Sequence, residues 1–324
     1  MIFTKKQKQG PFVLEMVRPE SPYFSTLLAL AVDKLPELPD FSEDTQLGVF
    51  TDFGGEHDGA EFATYSVLIV SLDKIDPFQR AIESLRQRHG ILKPYSEFAY
   101  KKLANGARRR ALGEFLKIVD SFLHGLLVTV AVDKEMKTVF GDSKHRAHAG
   151  MTAQLASLAL GTWKGDVAEK AGRVCHTIAA FLSLVLSPHQ RVLWYCDNDS
   201  INQDSGARTF ENTRELFGRV LGMYTRCPIE HFGFAKSFEE KSHYDDLLSV
   251  TDFAAGVVQD LLRHYKTGED QLQSDERAAV MRWIANRSEF LTKATVQIVP
   301  LPGGEAGVGT VEFSPAAPSA DTAA

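Results

Sequence analysis

Short segments rich in β-branched and aromatic residues recur through the middle of this chain, and stretches with helical spacing separate them. The segments are Gln46–Asp52 (QLGVFTD), Phe62–Leu72 (FATYSVLIVSL), Leu126–Val132, Arg191–Cys196 (RVLWYC) and Glu230–Ala235. Each has strand length, and turn formers such as Gly54-Gly55 or Asp197-Asn198-Asp199 follow several of them. The intervening stretches read as helices: one opened by Asp76-Pro77, one over Tyr95–Leu123, two within Met151–Leu186 broken near Gly161–Asp166, then Phe210–Tyr224 and Leu247–Leu262. Strands that alternate with helices confine the chain to an α/β architecture, since each crossover helix must bury its apolar face on the sheet. The first two strands are joined too closely for a helix, so they are expected to form an antiparallel hairpin at one side of an otherwise largely parallel sheet. Ser274–Asn286 adds a last helix and Thr295–Leu301 a last strand.

The flanks differ from this core. Residues 1–44 read as an N-terminal extension, with a strand over Phe12–Val17 and a helix over Ser25–Lys34. Residues 45–301 hold the α/β domain, with a helical insertion at 149–186 whose Ala/Leu-rich surface suits an internal cap, a homodimer contact or a protein partner. Residues 302–324 are rich in Gly, Ala, Pro and Ser without one Lys or Arg, and read as a disordered tail. No apolar run approaches the roughly 20 residues of a membrane helix, and Gly10, Pro11 and Glu15 stand where a signal peptide needs its apolar stretch. Cys175, Cys196 and Cys227 form no C-x-x-C pair, which suits a reducing cytoplasm and gives no support to a structural zinc site. The net charge of −6 argues against a uniformly basic nucleic-acid coat protein, but a local basic groove is compatible with it.

Three strands run into an aspartate at their C-terminal ends: Asp52, Asp133 and Asp197. That edge of an open α/β sheet is where ligands bind. Aspartates there also serve as plain turn formers, and both readings stay open. A fourth acid, Asp252, interrupts the apolar helix SVTDFAAGVV, where it is either an exposed flank or a group whose desolvation a partner offsets. Ala255 and Gly256 would let that helix approach the sheet edge closely. Carboxylates gathered this way suit hard divalent cations, and a pair of such ions can clamp the attacking and leaving oxygens of a phosphodiester. Basic residues cluster at Arg86-Arg88-His89, Lys101-Lys102, Arg108-Arg109-Arg110 and Lys144-His145-Arg146-His148, as phosphate contacts or as solvated faces. Gly141–Gly150 reads as a loop, either over substrate or as a connector. Cys196 reads as a buried strand thiol. The phosphate loop, G-x-S-x-G elbow, H-E-x-x-H helix and G-x-G-x-x-G turn are all missing from the sequence.

Taken in order, VFTDFGG with the VLIV strand, SEFAYKKL, and DDLLSVTDFAAGVVQDLL resemble the RNase H-like superfamily. More narrowly, they are similar to a bacterial and phage family of domains of unknown function. That family carries D-E-S-G at its first strand, an E-x-K-aromatic segment and an L-L-Q-L-A-D-hydrophobic-A-G helix. The resemblance spans roughly Leu47 to Leu262. It implies an RNase H-like mixed sheet flanked by helices, and metal-dependent cleavage of DNA or RNA with Mg²⁺ or Mn²⁺. It also implies a bacterial or phage setting, in mobile-element defence or a toxin-like role. Carried over by position, it implies Asp52, Glu97, Asp197 and Asp252 as metal-ligating catalytic acids, with Glu97 on a helix and Asp199 as the competing choice for Asp197. Asp133 and His243 become accessory candidates. Lys101, Lys102, Arg108, Arg109, Lys144 and Arg146 become candidates for substrate contact. Two departures stand out: Phe53-Gly54 replaces Glu-Ser after the first Asp, and Ala99 replaces the Lys of E-x-K. They leave three readings: an active nuclease, an inactive nucleic-acid-binding or scaffold relative, and a hydrolase of a small phosphorylated molecule.

Overall fold

Seven strands join in one mixed sheet with helices on both faces, the α/β class expected from the alternation. The structure, a computed structural model, describes residues 7–104, 106–204, 207–238, 241–269 and 272–313. A hairpin of β3 (Gln46–Gly54) and β4 (Phe62–Ser71) occupies the centre and not one side as expected. β5 (Gly125–Asp133) continues it as an antiparallel meander. β6 (Arg191–Cys196) and β7 (His231–Lys236) lie parallel to β3 on its other side. β8 (Leu291–Pro300) runs parallel to β5, and β9 (Ala306–Thr310) closes that edge antiparallel to β8. The order is β7-β6-β3-β4-β5-β8-β9, and antiparallel pairings are as many as parallel ones, because β5 joins β4 and β9 joins β8 antiparallel.

The two faces bury separate cores, because strand side chains alternate. On one face Leu47, Val49, Val67 and Val128 meet α1 (Tyr23–Val32), α5 (Gly165–Val185) and α6 (Phe210–Leu221). On the other, Phe50, Leu68 and Leu127 meet α2 (Asp76–His89), α3 (Gly106–Phe122), α7 (His243–Thr267) and α8 (Asp275–Ala285). Phe50 and Asp52 lie two residues apart on β3, so Asp52 faces the α7 side.

Several expectations are corrected. The N-terminal segment makes no strand at Phe12–Val17; β1 (Gln7–Gln9) instead pairs with β2 (Glu37–Pro39), and α1 buries Phe24, Leu27 and Leu28 in the first core. The expected tail already contains β9 before residue 314, because Gly303 and Gly304 adopt positive φ and turn the chain back onto β8; residues 314–324 lie outside the described residues. Gly141–Gly150 is not a loop throughout: α4 (Lys144–Ser157) begins within it, capped by the Ser143 side chain. The inserted helix α5 buries Val174, Cys175, Ile178 and Phe181, so it acts as an internal cap. The long helix expected from Tyr95 starts only at Gly106. Pro94 biases Lys93 away from helix, and residues 95–99 run outside helix into a 3₁₀ turn at Tyr100–Lys102.

That non-helical segment is tied down by an internal ion pair. Arg86 and Asp246 are 1% and 0% exposed, and the guanidinium reaches Asp246 at 2.5 Å. It also donates to the carbonyls of Ile91 (3.0 Å) and Ser96 (2.9 Å), and it lies 3.7 Å from the Tyr95 ring centroid. The Tyr95 hydroxyl donates in turn to Asp246 and to the Ser242 carbonyl. Arg86, read from the sequence as part of a basic cluster, is therefore an internal tie and is closed to substrate. Removing one partner of a buried pair strands the other charge. Arg86→Met is expected to lower stability by about 3–5 kcal/mol, measured by urea unfolding. Arg86→Lys is expected to recover little of it, because an ammonium cannot span two carbonyls and a carboxylate with one planar fork.

Candidate functional site

Asp52 sits on β3 just before the strand leaves the sheet at Gly54-Gly55. β6 runs parallel beside it with Thr51 opposite Cys196, so continuing the register brings Asp197 next to Asp52. α7 crosses the same face. Its Ala255 lies 3.8 Å from where a Gly54 Cβ would stand, and a larger group at either position would hold the helix off the strand. This close approach delivers Asp252 to Asp52, near enough for each carboxyl to act on the other. The expectation that small residues bring α7 close holds for Ala255. Gly256 has a different neighbour: its missing Cβ leaves room for the Tyr100 ring, which would lie 2.3 Å away.

Tyr100 locks the arrangement from the third side. Its backbone N–H donates to Asp252 Oδ2 at 2.6 Å, and its hydroxyl donates to Asp260 at 2.8 Å, one face of α7 supplying both acceptors. Arg277 of α8 pairs with Asp260 at 3.1 Å. Glu97 precedes Tyr100 on the same extended segment. It is on no helix, contrary to expectation, yet its charge reaches Asp252.

The electrostatics record how tightly these acids are gathered. Burial raises the Asp52 carboxyl well above the usual carboxylate range, and Asp252, Asp197 and Asp199 raise it further against a hydrogen bond from the Phe53 backbone. Asp252 is raised to about 6, first by burial; Glu97 adds to this, while the Tyr100 N–H and Lys101 oppose it. The structure therefore brings together Asp52, Asp252, Glu97, Asp197 and Asp199. Asp197 is exposed and accepts from the Asn198 N–H at 2.8 Å. Asp199 accepts from the Ile201 N–H at 3.0 Å and pairs with Lys170 at 2.5 Å, so it is partly committed to its own turn.

Cations ring the acids. Lys101 acts on Asp252, and Lys170 binds Asp199 and Glu56. Lys241 is raised by burial-opposing contacts with Asp245, with Glu97 and Asp197 adding to them. Lys170 and Lys241 were not singled out in the sequence: one lies on the inserted helix and the other in a connection, and neither belongs to a basic run. Lys102 is exposed on the 3₁₀ turn. Arg108 donates to the Glu97 carbonyl at 3.1 Å and so positions the segment.

Other candidates fall elsewhere. Asp133 is buried and held by Lys266 at 2.9 Å through both oxygens, a role in joining β5 to the end of α7. His243 is the first residue of α7, nine residues from Asp252 and thus roughly 13 Å along the axis, and burial lowers its pKa. Arg109 pairs with Glu276 and Asp275 of α8. Lys144 pairs with Asp166 at 2.6 Å, and Arg146 is exposed on α4; both lie on the other face of the sheet from α7. Cys196 is buried, with its thiol pushed up to about 12, as a packed strand residue should be.

The donor set is all carboxylate oxygen, which fits a hard divalent cation. The Thr64 hydroxyl, opposite Gly54 on β4, is buried without a hydrogen-bond partner, and it leaves a further oxygen beside the acids. As their side chains stand, no three His, Cys, Asp or Glu among the described residues converge closely enough to hold a metal ion. No protein-family model matches the chain, and no curated protein matches it. No helix among the described residues is long and apolar enough to cross a membrane.

Two outcomes follow. An unfolded aspartate titrates near 3.9 and Asp252 near 6, so the folded state retains a proton that the unfolded chain loses as pH rises from about 4 to 6. Stability contributed by this group therefore falls over that window and stays low above it. Asp252→Asn is expected to raise the melting temperature at pH 7.5 by several degrees, on the order of 2 kcal/mol. The gain should vanish by pH 4, as scanning calorimetry across pH would record. Gly256→Ala is expected to cost about 1–3 kcal/mol by displacing Tyr100, read by urea unfolding.

Proposed function

We propose that the chain is a divalent-metal-dependent phosphodiesterase that cleaves DNA or RNA. The observation that carries this reading is the meeting of Asp52 from the central strand and Asp252 from α7, with Glu97, Asp197 and Asp199 close enough to perturb them. Such repulsion is unfavourable for packing, and it is what a site prepared for a multivalent cation requires. The sheet adds support. The mixed sheet flanked by helices, with β3-β4-β5 antiparallel and β6 and β7 parallel to β3, is compatible with the mixed sheet that the resemblance implies.

Mg²⁺ or Mn²⁺ would be held by Asp52 and Asp252, with Asp197, Asp199 or Glu97 supplying further oxygens. Bound there, the cation supplies Lewis-acid polarisation of a phosphoryl oxygen and a water of lowered pKa. The chain's own residues do the rest. The Tyr100 N–H fixes one oxygen of Asp252, leaving the other free to turn towards a ligand. Lys101, Lys170 and Lys241 offset the crowd of carboxylates and draw a polyanion to the sheet edge. Arg108 holds the Glu97 segment in register.

A specific observation favours a second reading, that of a nucleic-acid-binding or scaffold protein without turnover. The acids do not converge as three ligands in their present rotamers, and Phe53-Gly54 and Ala99 stand at the two departures.

Labelled single- and double-stranded DNA and RNA, incubated with Mn²⁺ or Mg²⁺, decide between them. The nuclease reading expects cleavage that falls roughly 100-fold or more in Asp52→Asn and Asp252→Asn, and persists in Asp133→Asn. It also expects Mn²⁺ to raise the melting temperature of the wild-type protein but of neither site variant. Absence of both metal-dependent cleavage and metal-dependent stabilisation would overturn it and leave the binding reading.

A further inference from the structure

Beside the acids, on the opposite face of the sheet from α7, the ends of β3 and β4 and the start of α5 enclose a cavity of about 490 Å³. Gly55 and Ser200 line it, each close in sequence to a proposed ligand, Asp52 and Asp199 respectively. Lys170 belongs to both places: it lines the cavity and is bonded to Asp199. The cavity and the acid cluster are thus neighbours separated by one lysine.

Its walls are cationic. Lys134, Lys137, Lys144, Lys170 and Arg173 line it against three acids, Glu56, Asp166 and Glu169. The acids are already matched within the wall. Glu169 accepts from Arg173 at 2.5 Å and is bonded to His148 at 2.7 Å; Asp166 takes Lys144, and Glu56 takes Lys170. Among the described residues, the amine of Lys134 donates to the carbonyls of Gly55 (3.2 Å) and His57 (3.1 Å) and pairs with no carboxylate. Lys137 is exposed and has no carboxylate within salt-bridge distance among the described residues. Two cations therefore stand at the cavity without a carboxylate in salt-bridge contact among the described residues, with Glu135 near enough to feel the charge of Lys137, beside the hydrogen-bonded Arg173–Glu169–His148 group.

We infer that this cavity is a phosphate subsite for the nucleic-acid strand, taking a backbone phosphate a short distance along the chain from the one at the acids. The inference rests on the proposed function and adds where the polymer lies: across the end of β3, from the α7 face over Gly54-Gly55 towards α4 and α5. A backbone phosphate fits because the site offers several point charges on flexible stems, around a floor that also carries Tyr65, Met136 and Val167.

The test uses the full chain and a fluorescein-labelled single-stranded DNA 20-mer, with Ca²⁺ present, by anisotropy at several salt concentrations. Lys137→Ala/Lys144→Ala changes two surface side chains, one unpaired and one in an exposed pair that contributes little to stability. Its melting temperature checks folding. The subsite expects at least tenfold weaker binding at 50 mM salt, and a slope of log affinity against log salt flattened by about 0.7 per lysine. Unchanged affinity and slope, or no binding of the 20-mer by the wild-type protein, would overturn it. Binding that responds to the lysines without Asp52-dependent cleavage would keep the subsite and overturn the nuclease reading. Asp52-dependent cleavage with binding indifferent to the lysines would do the reverse.

Discussion

The buried pair of Arg86 and Asp246 is the contact on which the site's third wall depends. Residues 91–99 have no strand partner and no helical hydrogen bonds to hold them. Arg86 replaces both by bonding two of their carbonyls and fixing itself to α7 through Asp246. Its aromatic neighbours Tyr95 and Phe98 close the guanidinium off from water. With the segment pinned, Tyr100 lands in the gap left by Gly256, and its N–H meets Asp252. A loop acquires the positional accuracy of a strand because its carbonyls are tied, through Arg86, to a helix residue 160 positions further along the chain. An ion pair of this kind contributes little net stability compared with an apolar replacement, but it specifies one geometry, and geometry is what an acidic cluster needs.

The cluster itself runs against stability. Asp52 is raised by burial and by Asp252, and Asp252 by burial and by Glu97, so the pair retains a proton at pH values where ordinary aspartates have lost theirs. The surrounding fold has to offset that cost, and the two separate hydrophobic cores on either side of β3 are large enough to do so. Gly54 and Ala255 sharpen the conflict, since they bring the helix and strand together where charge would drive them apart.

The sequence conveyed the architecture better than the edges of the site. Strands such as FATYSVLIVSL and LLVTVAVD announce themselves because burial on both faces demands continuous apolar runs. The meeting of Asp52 with Asp252 was legible only in part, since an acid between Val250, Thr251 and Phe253 reads equally as an exposed flank, and it takes the close approach of α7 at Ala255 to decide between them. Asp133 shows the limit: a strand-end acid looks the same whether it faces a ligand or a lysine 133 residues away, and only the fold brings in Lys266. Arg86 shows the converse, a basic run of which one member turns inward. The helix wrongly extended back to Tyr95 failed because Phe98, Tyr100 and Leu103 have apolar spacing compatible with a helix, while the interactions that prevent it are tertiary. Ala306–Thr310 was missed because a small, uncharged segment carries no periodicity, and its pairing is supplied entirely by the exposed edge of β8.

The distribution of charge bears on what such a site can accept. With a net charge of −6 and acids concentrated at one sheet edge, the field there repels a polyanion unless cations are placed locally. The lysines nearest the acids come from four separate places in the chain: the 3₁₀ turn, α5, the connection before α7, and the turn after β5. Contributions from so many elements produce a belt across the strand ends, whereas a single basic helix would produce a stripe along one side. A belt that passes from Lys241 and Lys101 on the α7 face, by way of Lys170, to Lys134 and Lys137 on the other presents charge on both faces of the strand ends. A small phosphorylated molecule would use only one part of it. Under the proposed function, the arrangement suits a strand better than a monomer, and it does so through surface residues that need no particular chemistry at the acids themselves.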